Sequence, residues 1–477
     1  MVELLEGLTF DDVLLKPKKS PIISRKDVST KTKLTNKIFL NIPFVSSNMD
    51  SVTEAALSIA LAREGGVGII HRFMPIEQQV VEVLKVKRAE SILVENPYTI
   101  GPETTMKELR ELVDEQGVTS WLVVDDNRKL LGIITNRDMK FRNLDSSKVT
   151  EYMTPYKDLV TAPVGTPVEK AKEILMEKRL EKLPIVDEKG LLQGLITTKD
   201  IDKRERYPQA AKDIRGKLLV GATVGVKSGF LERAKVLVAA EADFLCVDVA
   251  HGHSDLALNT IRAIKKDLGD VQIVAGNVAT YEGALDLMSA GVDCVKIGVG
   301  PGSTCLTRIM TGAGVPQMTA IFDCVKASRE MGIPVMADGG MRKPGDVVKA
   351  LAAGAHTVMS GNIFAGTEET PGITILRYGR KQKIYRGSAS FGSALTRKSR
   401  ESKDDIIVDD YTPEGAEAIV PLKGSVSEVM KDFLGGLRSG LSYCGARTIE
   451  EMHKNAVFIK MSPAGLQESG AHDVQPV

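Results

Sequence analysis

Short apolar runs alternate with amphipathic stretches along most of the chain, and this alternation constrains the fold more than any other feature. Each run is rich in Val, Ile and Ala, ends at Gly, Asn or Asp, and precedes a helix-like segment such as TYEGALDLMSAG. Continuous apolar strands that alternate with helices indicate a parallel sheet covered on both faces. From about residue 215 the runs are KLLVGATVG, ADFLCVDVAHG, VQIVAGNVAT, DCVKIGVGPG, IPVMADGGMR and HTVMSGNIFAG.

Two further runs lie near the N-terminus and bring the count to eight. They are NIPFVSSNMD and GGVGIIHR, with DSVTEAALSIALAREG as the helix between them. Eight strand–helix units are the number that closes a (β/α)8 barrel, the TIM barrel of the α/β class. The sequence therefore predicts a barrel built from residues 1–89 and 207–477. Polar residues and glycines cluster where the runs end, which is the face where such barrels carry out chemistry.

The segment between the second and third units departs from this pattern and repeats itself. WLVVDDNRKLLGIITNRDM matches LPIVDEKGLLQGLITTKDI at an offset of 62 residues, from Gly132 to Gly194. Each half is predicted to form a helix, a strand, a turn, a strand and a short helix. One such unit would leave an apolar face uncovered, so two packed copies are expected. The predicted halves are residues 90–147 and 148–206.

The repeat allows two interpretations. It is either a structural spacer or a pair of units that binds a ligand. Thr135 with Asp138 and Thr197 with Asp200 occupy equivalent turns of the two halves, and this favours the ligand-binding interpretation.

Composition and charge exclude several functional classes. The net charge of +1 argues against a nucleic-acid or membrane-surface partner. The five cysteines are odd in number and lack C-x-x-C spacing, which suits a reducing compartment rather than a disulfide framework. The N-terminus lacks the apolar core of a signal peptide, and no apolar run approaches membrane-spanning length. We therefore expect a soluble, cytoplasmic protein.

One cysteine stands in an unusual setting. Cys305 lies in the glycine-dense stretch GVGPGSTCLTR after the sixth predicted strand. Cys246, Cys294 and Cys324 lie in apolar runs or on a predicted helix and are expected to be buried, whereas Cys444 is ambiguous. Backbone N–H groups of a glycine loop and of a helix start would favour the thiolate, which is the attacking form of cysteine. On these grounds alone, a nucleophile and an ordinary loop residue fit Cys305 equally well.

Two neighbouring loops strengthen the case for a site. ADGG (337–340) and SGN (360–362) end the seventh and eighth predicted strands, where β/α barrels frequently bind phosphate. A backbone that approaches a phosphate closely needs glycine, and both loops supply it. Glycine after a strand is also ordinary turn chemistry. Three such loops on consecutive strands, one with a lone cysteine, favour a phosphate-bearing substrate.

These motifs together resemble the family of IMP dehydrogenases and GMP reductases. The resemblance rests on TFDDVLL, SSNMDSVTEAALSIALAREGGVGIIH, DVAHGHS, AGNVAT, KIGVGPGSTC, ADGG, FAGTEETPG, YRG, PEG and GGLRSG, which span nearly the whole chain. The inserted repeat resembles a tandem CBS module, which is the dehydrogenase arrangement, and the C-terminal GLQESGAHDV resembles the dehydrogenase tail. The resemblance thus implies an IMP dehydrogenase. The alternatives are a GMP reductase and a purine-sensing protein that no longer turns over.

The resemblance implies a two-stage reaction in guanine nucleotide biosynthesis. Cys305 would attack C2 of the purine of IMP, hydride would pass to NAD, and water would hydrolyse the adduct to XMP. The residues implied to hold the nucleotide are Ser303, Asp338, Gly339, Gly340, Gly361, Asn362, Tyr385, Arg386, Gly387, Ser388 and Glu414. Those implied for the cofactor are Asp248, Gly298, Val299 and Gly300.

The resemblance also implies an ion, an assembly and a regulator. Carbonyl groups of Gly300, Gly302 and Cys305 would bind K+, together with Glu468, Ser469 and Gly470 from a neighbouring subunit of a homotetramer. The CBS pair would bind an adenine nucleotide, with Asp138 and Asp200 on ribose hydroxyls and Thr135 and Thr197 near phosphate.

One segment departs from the family pattern. A mobile flap is predicted at about residues 393–420, and in the family it carries an arginine–tyrosine dyad whose arginine is the base for water. Here Arg400 aligns with the arginine, but Glu401 stands at the tyrosine. GMP reductases carry a glutamate where this chain has Phe391. Neither hydrolysis nor ammonia release therefore has its complete set of residues.

The departure at Glu401 suggests a different base. An arginine can act as a base only when deprotonated, and its high pKa opposes this. A neighbouring Glu401 would favour the charged guanidinium of Arg400 further. We therefore predict that water activation relies on Thr307 and Glu414, a hydroxyl–carboxylate relay that can work near neutral pH.

Overall fold

The structure is a computed structural model that describes residues 4–90, 93–118, 120–140, 146–393, 395 and 412–470. The chain forms two compact units. The first comprises residues 1–89, 209–214 and 218–477, and the second comprises residues 90–208 and 215–217.

Eight parallel strands form a closed barrel in the first unit. In chain order they are β1 (Phe44–Ser46), β2 (Val67–Ile70), β3 (Val220–Val224), β4 (Phe244–Asp248), β5 (Ile273–Val278), β6 (Cys294–Ile297), β7 (Val335–Asp338) and β8 (Thr357–Ser360). Each strand pairs with the next, and β8 pairs with β1 through Val358 opposite Phe44. All eight apolar runs contain a strand, and the predicted (β/α)8 barrel is confirmed.

Helices cover the outside of the barrel. They are α1 (Ala55–Glu64), α2 (Ile76–Arg88), α3 (Phe230–Ala239), α4 (Asp255–Leu268), α5 (Tyr281–Ser289), α6 (Gln317–Met331), α7 (Pro344–Ala352) and α8 (Val426–Tyr443). Local signals fix their ends. The Thr280 hydroxyl accepts the N–H of Gly283 at the start of α5, and α1 ends at Gly65, whose φ is +102°. Among the described residues, no helix has the length and apolar character needed to cross a membrane.

The barrel interior is packed rather than open. Side chains of alternate strand residues meet inside it, among them Val45, Val67, Phe244, Cys246, Val274, Cys294, Met336 and Met359. Along β6, Cys294 belongs to this inner layer and Val295 to the outer layer under the helices. Because successive strand side chains point to opposite faces, Lys296 points inward. A charged residue thus enters the upper end of the barrel interior.

Smaller elements complete the first unit. Short helices lie at Phe10–Asp12, Arg25–Asp27, Thr307–Thr311, Ile449–Asn455 and Pro463–Glu468. Two-stranded sheets join Val13–Leu15 to Phe458–Lys460 and Thr32–Lys33 to Phe39–Leu40. A three-stranded antiparallel sheet consists of Ile375–Arg377, Arg380–Arg386 and Glu417–Pro421. The last residues of the predicted flap therefore belong to a sheet strand, whereas 394 and 396–411 lie outside the described residues.

The second unit contains two four-stranded sheets. One orders its strands as Thr154–Pro155, Leu130–Thr135, Ser120–Val124 and Thr99–Ile100, and the other as Ala162–Pro163, Lys182–Val186, Leu192–Thr197 and Leu93–Val94. The helices are Met106–Gln116, Asn136–Met139, Val149–Glu151, Tyr156–Asp158, Val168–Lys178 and Thr198–Arg206. In each half a helix, two strands and a short helix follow one another, with short strands before them. The sheets cross the boundary expected at residues 147 and 148, because Thr154–Pro155 belongs to the first sheet and Leu93–Val94 to the second. The halves share an apolar cluster that contains Leu122, Leu130, Val186 and Leu192.

Candidate active site

A cavity of about 430 Å³ lies at the carboxyl ends of the barrel strands. The loops after β1, β2, β4, β6, β7 and β8 line it, together with Asn277 of β5 and Lys296 of β6. Tyr385 of the antiparallel sheet and residues between the second and third strands of that sheet complete the lining. The lining includes most of the residues predicted from the sequence: Asp248, Gly298, Gly300, Gly302, Ser303, Cys305, Thr307, Asp338, Gly339, Gly340, Gly361, Asn362, Tyr385, Gly387, Ser388 and Glu414. The cavity thus lies on the face of the barrel where the sequence predicted chemistry.

Cys305 differs from the other cysteines in its access to this cavity. It lies after β6, is only partly buried, and lines the cavity. Its amide donates a 3.0 Å hydrogen bond to the Gly302 carbonyl, which folds the loop back on itself. The other four cysteines are buried, and burial raises the pKa of each of their thiols: Cys246, Cys294, Cys324 and Cys444. The expected burial of Cys246, Cys294 and Cys324 is confirmed.

Thr307 connects Cys305 to a carboxylate. The thiol of Cys305 donates to Thr307 Oγ1 over 3.2 Å, and the Thr307 hydroxyl donates to Glu414 Oε2 over 2.8 Å. The structure therefore brings together three of the four residues predicted to be catalytic. The fourth, Arg400, lies with Glu401 outside the described residues.

Backbone hydrogen bonds hold this arrangement in place. The Leu306 N–H donates to the Glu414 carbonyl over 2.7 Å, and the Ala416 N–H donates to the Thr304 carbonyl over 2.7 Å. The segment that carries Glu414 is thus paired directly with the loop that carries the cysteine. Both bonds join main-chain groups. They therefore hold the backbone of Glu414 close to the backbone of Cys305, whatever the side-chain rotamers are.

Two glycines of the cavity loops are closely packed, and the first of them, Gly298, lies against backbone. Gly298 has a φ of +144°, and a Cβ there would lie 2.2 Å from the carbonyl oxygen of Asp338. A Cβ at Gly361 would lie 2.6 Å from the Tyr385 hydroxyl and 2.9 Å from Ser47 Oγ. These contacts leave no room for a side chain, and they bring the main chain to the cavity wall. A wall of exposed backbone suits the binding of a phosphate group.

Tyr385 reaches the cavity from the antiparallel sheet, whereas its neighbour does not. Ser303 Oγ donates to the Tyr385 hydroxyl over 3.3 Å, and burial raises the pKa of Tyr385, so its hydroxyl stays protonated. Arg386 points to the opposite face of its strand, as alternation requires. There its guanidinium donates to Asp50 Oδ2 over 2.7 Å. The structure therefore does not bring the predicted substrate residue Arg386 to the cavity lining.

Four other predicted residues also lie away from the lining. The Val299 carbonyl accepts a 3.3 Å hydrogen bond from Arg308 Nε. Glu468, Ser469 and Gly470 lie at the end of the C-terminal helix, and all three are exposed. The sequence predicts that they help to bind K+ in a neighbouring subunit, and this stays a prediction.

The cavity floor contains a charged network that the sequence analysis did not identify. Lys296 Nζ lies 2.8 Å from Asp248 Oδ1 and 2.8 Å from Asp338 Oδ2, and it also donates to Asn277 Oδ1. Burial opposes ionisation of Asp248, but the Lys296 ammonium outweighs it and holds the pKa of Asp248 below its usual range. Burial likewise opposes the charge on Lys296, and the two carboxylates raise its pKa despite it. Asp248 and Lys296 therefore both stay charged at neutral pH.

Other lining residues were also missed, although the sequence carried a signal for them. Asn48 follows β1, and Arg72 with Phe73 follows β2, so each occupies the edge where polar residues were already noted after later strands. Lys296 stands in the apolar run DCVKIGVGPG, and a lysine inside a buried strand needs a charged partner. The two rules together, applied to all eight strands, would have identified these residues.

In the second unit, the predicted regulatory residues form two equivalent caps. The Thr135 amide and hydroxyl donate to Asp138 Oδ2 over 2.8 and 2.7 Å, at the start of a short helix. The Thr197 hydroxyl donates to Asp200 Oδ2 over 2.5 Å, and the Asp200 amide donates back over 3.3 Å. Both pairs therefore stabilise the start of a helix, in the same place of each half.

Comparisons with known proteins agree on the family. The family model described as IMP dehydrogenase / GMP reductase domain matches residues 7–472. An inosine-5'-monophosphate dehydrogenase of Nitrosopumilus maritimus is 52% identical over 99% of both chains. Another, of Aquifex aeolicus, is 51% identical over 99% of this chain and 96% of that protein. Among solved structures, a GMP reductase variant from Trypanosoma brucei in complex with guanosine 5'-monophosphate matches 99% of both chains at 45% identity, with a TM-score of 0.92.

Proposed function

Because the chain belongs to the IMP dehydrogenase / GMP reductase family, we propose that it is an NAD-dependent IMP dehydrogenase. The single observation that carries the proposal is the chain of hydrogen bonds from Cys305 through Thr307 to Glu414 at the cavity wall. This arrangement supplies a nucleophile and a proton acceptor on one wall of a cavity that has glycine loops on another. Relatives that are half identical over nearly the whole chain carry the name of this activity.

The proposed reaction converts IMP, NAD+ and water to XMP, NADH and a proton. In the first stage the Cys305 sulfur forms a bond to C2 of the purine, and the C2 hydride passes to NAD+. In the second stage a water oxygen bonds to C2, the carbon–sulfur bond breaks, and the thiolate is restored. Cys305 is partly exposed, so its own proton can leave to solvent before the first stage.

The second stage needs a base, and the structure offers Glu414. Thr307 already donates to Glu414, so the Thr307 hydroxyl can accept a proton from water as it passes its own to the carboxylate. The relay ends within reach of the sulfur, because the same hydroxyl accepts the thiol hydrogen bond. A water molecule that attacks C2 as the sulfur leaves would therefore lie within reach of the Thr307 hydroxyl.

Binding roles follow from where each group lies. We assign the nucleotide ribose to Asp338, the base to Glu414, and the phosphate to the glycine loops after β7 and β8. We assign the ribose on the nicotinamide side of NAD to Asp248, with Gly298 and Gly300 beside it. Carboxylates are hydrogen-bond acceptors, and ribose hydroxyls can donate to them.

GMP reductase is the second candidate, because one of the solved structures that the chain matches, at a TM-score of 0.92, is a GMP reductase. That match covers 99% of both chains, so the inserted unit alone does not separate the two activities. The reductase would convert GMP, NADPH and two protons to IMP, NADP+ and ammonium through the same cysteine. Phe391 in place of the reductase glutamate disfavours this candidate. A purine sensor without turnover is the third candidate, supported by Glu401 in the flap.

Further parts of the proposal concern the ion, the regulator and the assembly. Main-chain carbonyls of Gly300, Gly302 and Cys305 form a donor set that suits K+, which takes oxygen ligands. We propose that Glu468, Ser469 and Gly470 of a neighbouring subunit complete this site in a homotetramer. The second unit would bind an adenine nucleotide as a CBS pair, and the protein would act in the cytoplasm.

Turnover with two substrate pairs tests the proposal. Purified protein is given IMP with NAD, or GMP with NADPH, and absorbance at the reduced cofactor's wavelength is followed with and without K+. We expect NADH formation with the first pair and none in the Cys305→Ala variant. NADPH consumption with the second pair alone would establish the reductase, and binding without turnover of either pair would establish the sensor.

A further inference from the structure

One buried ammonium lies between the two carboxylates that the proposed function assigns to different ligands. Lys296 has 2% of its side chain exposed, and its Nζ lies 2.8 Å from both Asp248 and Asp338. It donates a third hydrogen bond to Asn277. An ammonium has three donors, so the three acceptors, on β4, β5 and β7, use all of them. Lys296 therefore links side chains of three strands through one ammonium.

Lys296 contacts one oxygen of each carboxylate, and Asn48 is a further hydrogen-bond partner of Asp248. Asp338 Oδ2 accepts from Lys296 over 2.8 Å and from Asn277 Nδ2 over 2.9 Å. Asn277 Nδ2 also donates to the Gly298 carbonyl over 2.7 Å, which ties the network to the loop before Cys305. Asp248 meets Lys296 through Oδ1. The second oxygen of each carboxylate is the atom that we assign to a ribose hydroxyl.

We propose that Lys296 is a positioning residue that couples the two binding sites, so that mononucleotide and dinucleotide each strengthen the binding of the other. The inference rests on the proposed function, since it takes the two ribose contacts from it. A ribose that fixes Asp338 also fixes the ammonium, and the ammonium fixes Asp248. The second ligand then binds to a site that the first ligand has already ordered. Less conformational entropy is lost in this second step, so binding is more favourable.

A matched lysine elsewhere in the barrel separates this role from stability. Lys87 on α2 is equally buried, with 2% of its side chain exposed, and its Nζ lies 2.9 Å from Asp213 and 2.9 Å from Asp243. It also donates to the Leu218 carbonyl over 3.2 Å. Lys87 thus has the same set of partners as Lys296, one ammonium between two carboxylates, but it does not line the cavity.

The test measures the affinity of IMP with and without ADP-ribose by titration calorimetry. ADP-ribose carries the ribose that Asp248 would bind, but it lacks the nicotinamide ring, so it neither stacks on the purine nor accepts hydride. We expect ADP-ribose to tighten IMP binding to the wild-type protein about fivefold or more, the lower end of typical coupling between sites. Lys296→Met should reduce this factor to less than about twofold. Lys296→Arg should restore most of it, because the charge is kept, and Lys87→Met should leave it at the wild-type value.

Asp248→Asn breaks the same bridge from the other end and tests the inference if Lys296→Met does not fold. Because Asp248 is itself assigned to the ribose of ADP-ribose, IMP is titrated at ADP-ribose concentrations shown to saturate this variant, and the coupling factor measured there should also be reduced. Coupling that survives in either variant overturns the inference, as does a wild-type factor near one. Both results leave the proposed function standing. Failure of the wild-type protein to bind IMP at all overturns the proposed function itself, and the inference with it.

Discussion

At the scale of single residues, the chemistry depends on what surrounds each side chain. Cys305 could be identified from the sequence because a lone cysteine in a glycine loop after a strand is unusual. Cys305 is linked to Glu414 through Thr307. Thr307 and Glu414 are 107 positions apart, and only the fold brings them together. Lys296 was missed for a similar reason. Its two carboxylate partners lie 48 and 42 residues away, so sequence neighbours gave no sign of them.

The relay predicts which residue limits hydrolysis. Glu414→Gln should slow release of XMP on the order of a hundredfold, within the usual range for loss of a general base. Arg400→Ala should slow it less, because the high pKa of an arginine side chain opposes its action as a base. Both variants should keep the initial burst of NADH, because hydride transfer precedes hydrolysis. Stopped-flow absorbance separates the burst from the steady rate.

The control for this prediction is Thr307→Val, which removes the hydroxyl and keeps the shape of the side chain. It should lower the steady rate about as much as Glu414→Gln does, because both break the same relay. If Arg400→Ala slows hydrolysis far more than Glu414→Gln, the relay is not the base and Arg400 is.

At the scale of helices and strands, local sequence determined most of the framework. The eight barrel strands are continuous apolar runs, and these can be identified without tertiary information because both faces of a parallel sheet are buried. The antiparallel sheet was not predicted. Its outer strands are short and exposed, and Glu417–Pro421 pairs with Arg380–Arg386 across a wide gap in sequence. Pairing of that kind depends on the rest of the fold.

A pair of buried histidines links one helix to the barrel and predicts acid sensitivity. His356, just before β8, and His453, on the helix Ile449–Asn455, stack edge to face at 5.2 Å. The Val335 amide donates to His356 Nδ1, and His453 Nε2 donates to the Ala355 carbonyl. Burial, with a contribution from His453, lowers the pKa of His356 to about 3, and burial also lowers that of His453.

Because the folded state holds His356 neutral, stability is full above the unfolded-state pKa of about 6.5 and falls as the pH drops toward 3. Between pH 7.5 and pH 5 the loss from this histidine should be ~2 kcal/mol. His356→Gln should therefore lose less stability over this range than the wild type, measured as the thermal unfolding midpoint at each pH. His251→Gln, which changes an exposed histidine, should follow the wild-type curve. Parallel curves for wild type and His356→Gln would contradict the linkage.

At the scale of the whole molecule, the sequence of the barrel is interrupted by one long insertion, residues 90–208. The barrel closes with residues before 90 and after 208, and the second unit has its own apolar clusters. The break and the repeat were both visible in the sequence, since the insertion stops the strand–helix alternation and then doubles a pattern of its own. What the second unit binds was not visible, because Thr135 and Asp138 also serve as an ordinary helix cap.

The two-unit organisation predicts that catalysis survives without the second unit. Replacing residues 90–208 by a short linker should leave turnover within about tenfold of wild type and abolish any response to adenine nucleotides, since allosteric effects are commonly of this size. Steady-state rates with and without ATP measure both effects. Loss of basal turnover in a variant that still folds would show that the second unit contributes to catalysis.

The central claim is that Cys305 bonds to the purine in the course of IMP oxidation. Its most direct measurement is an acid quench of the protein within a turnover of IMP and NAD, followed by peptide mass spectrometry. We expect a nucleotide adduct on the peptide that contains Cys305, present when NAD is added and absent with IMP alone. We also expect no adduct on Cys246, Cys294, Cys324 or Cys444, because these thiols are buried. An adduct on another residue, or undiminished XMP formation by Cys305→Ala, would contradict the claim.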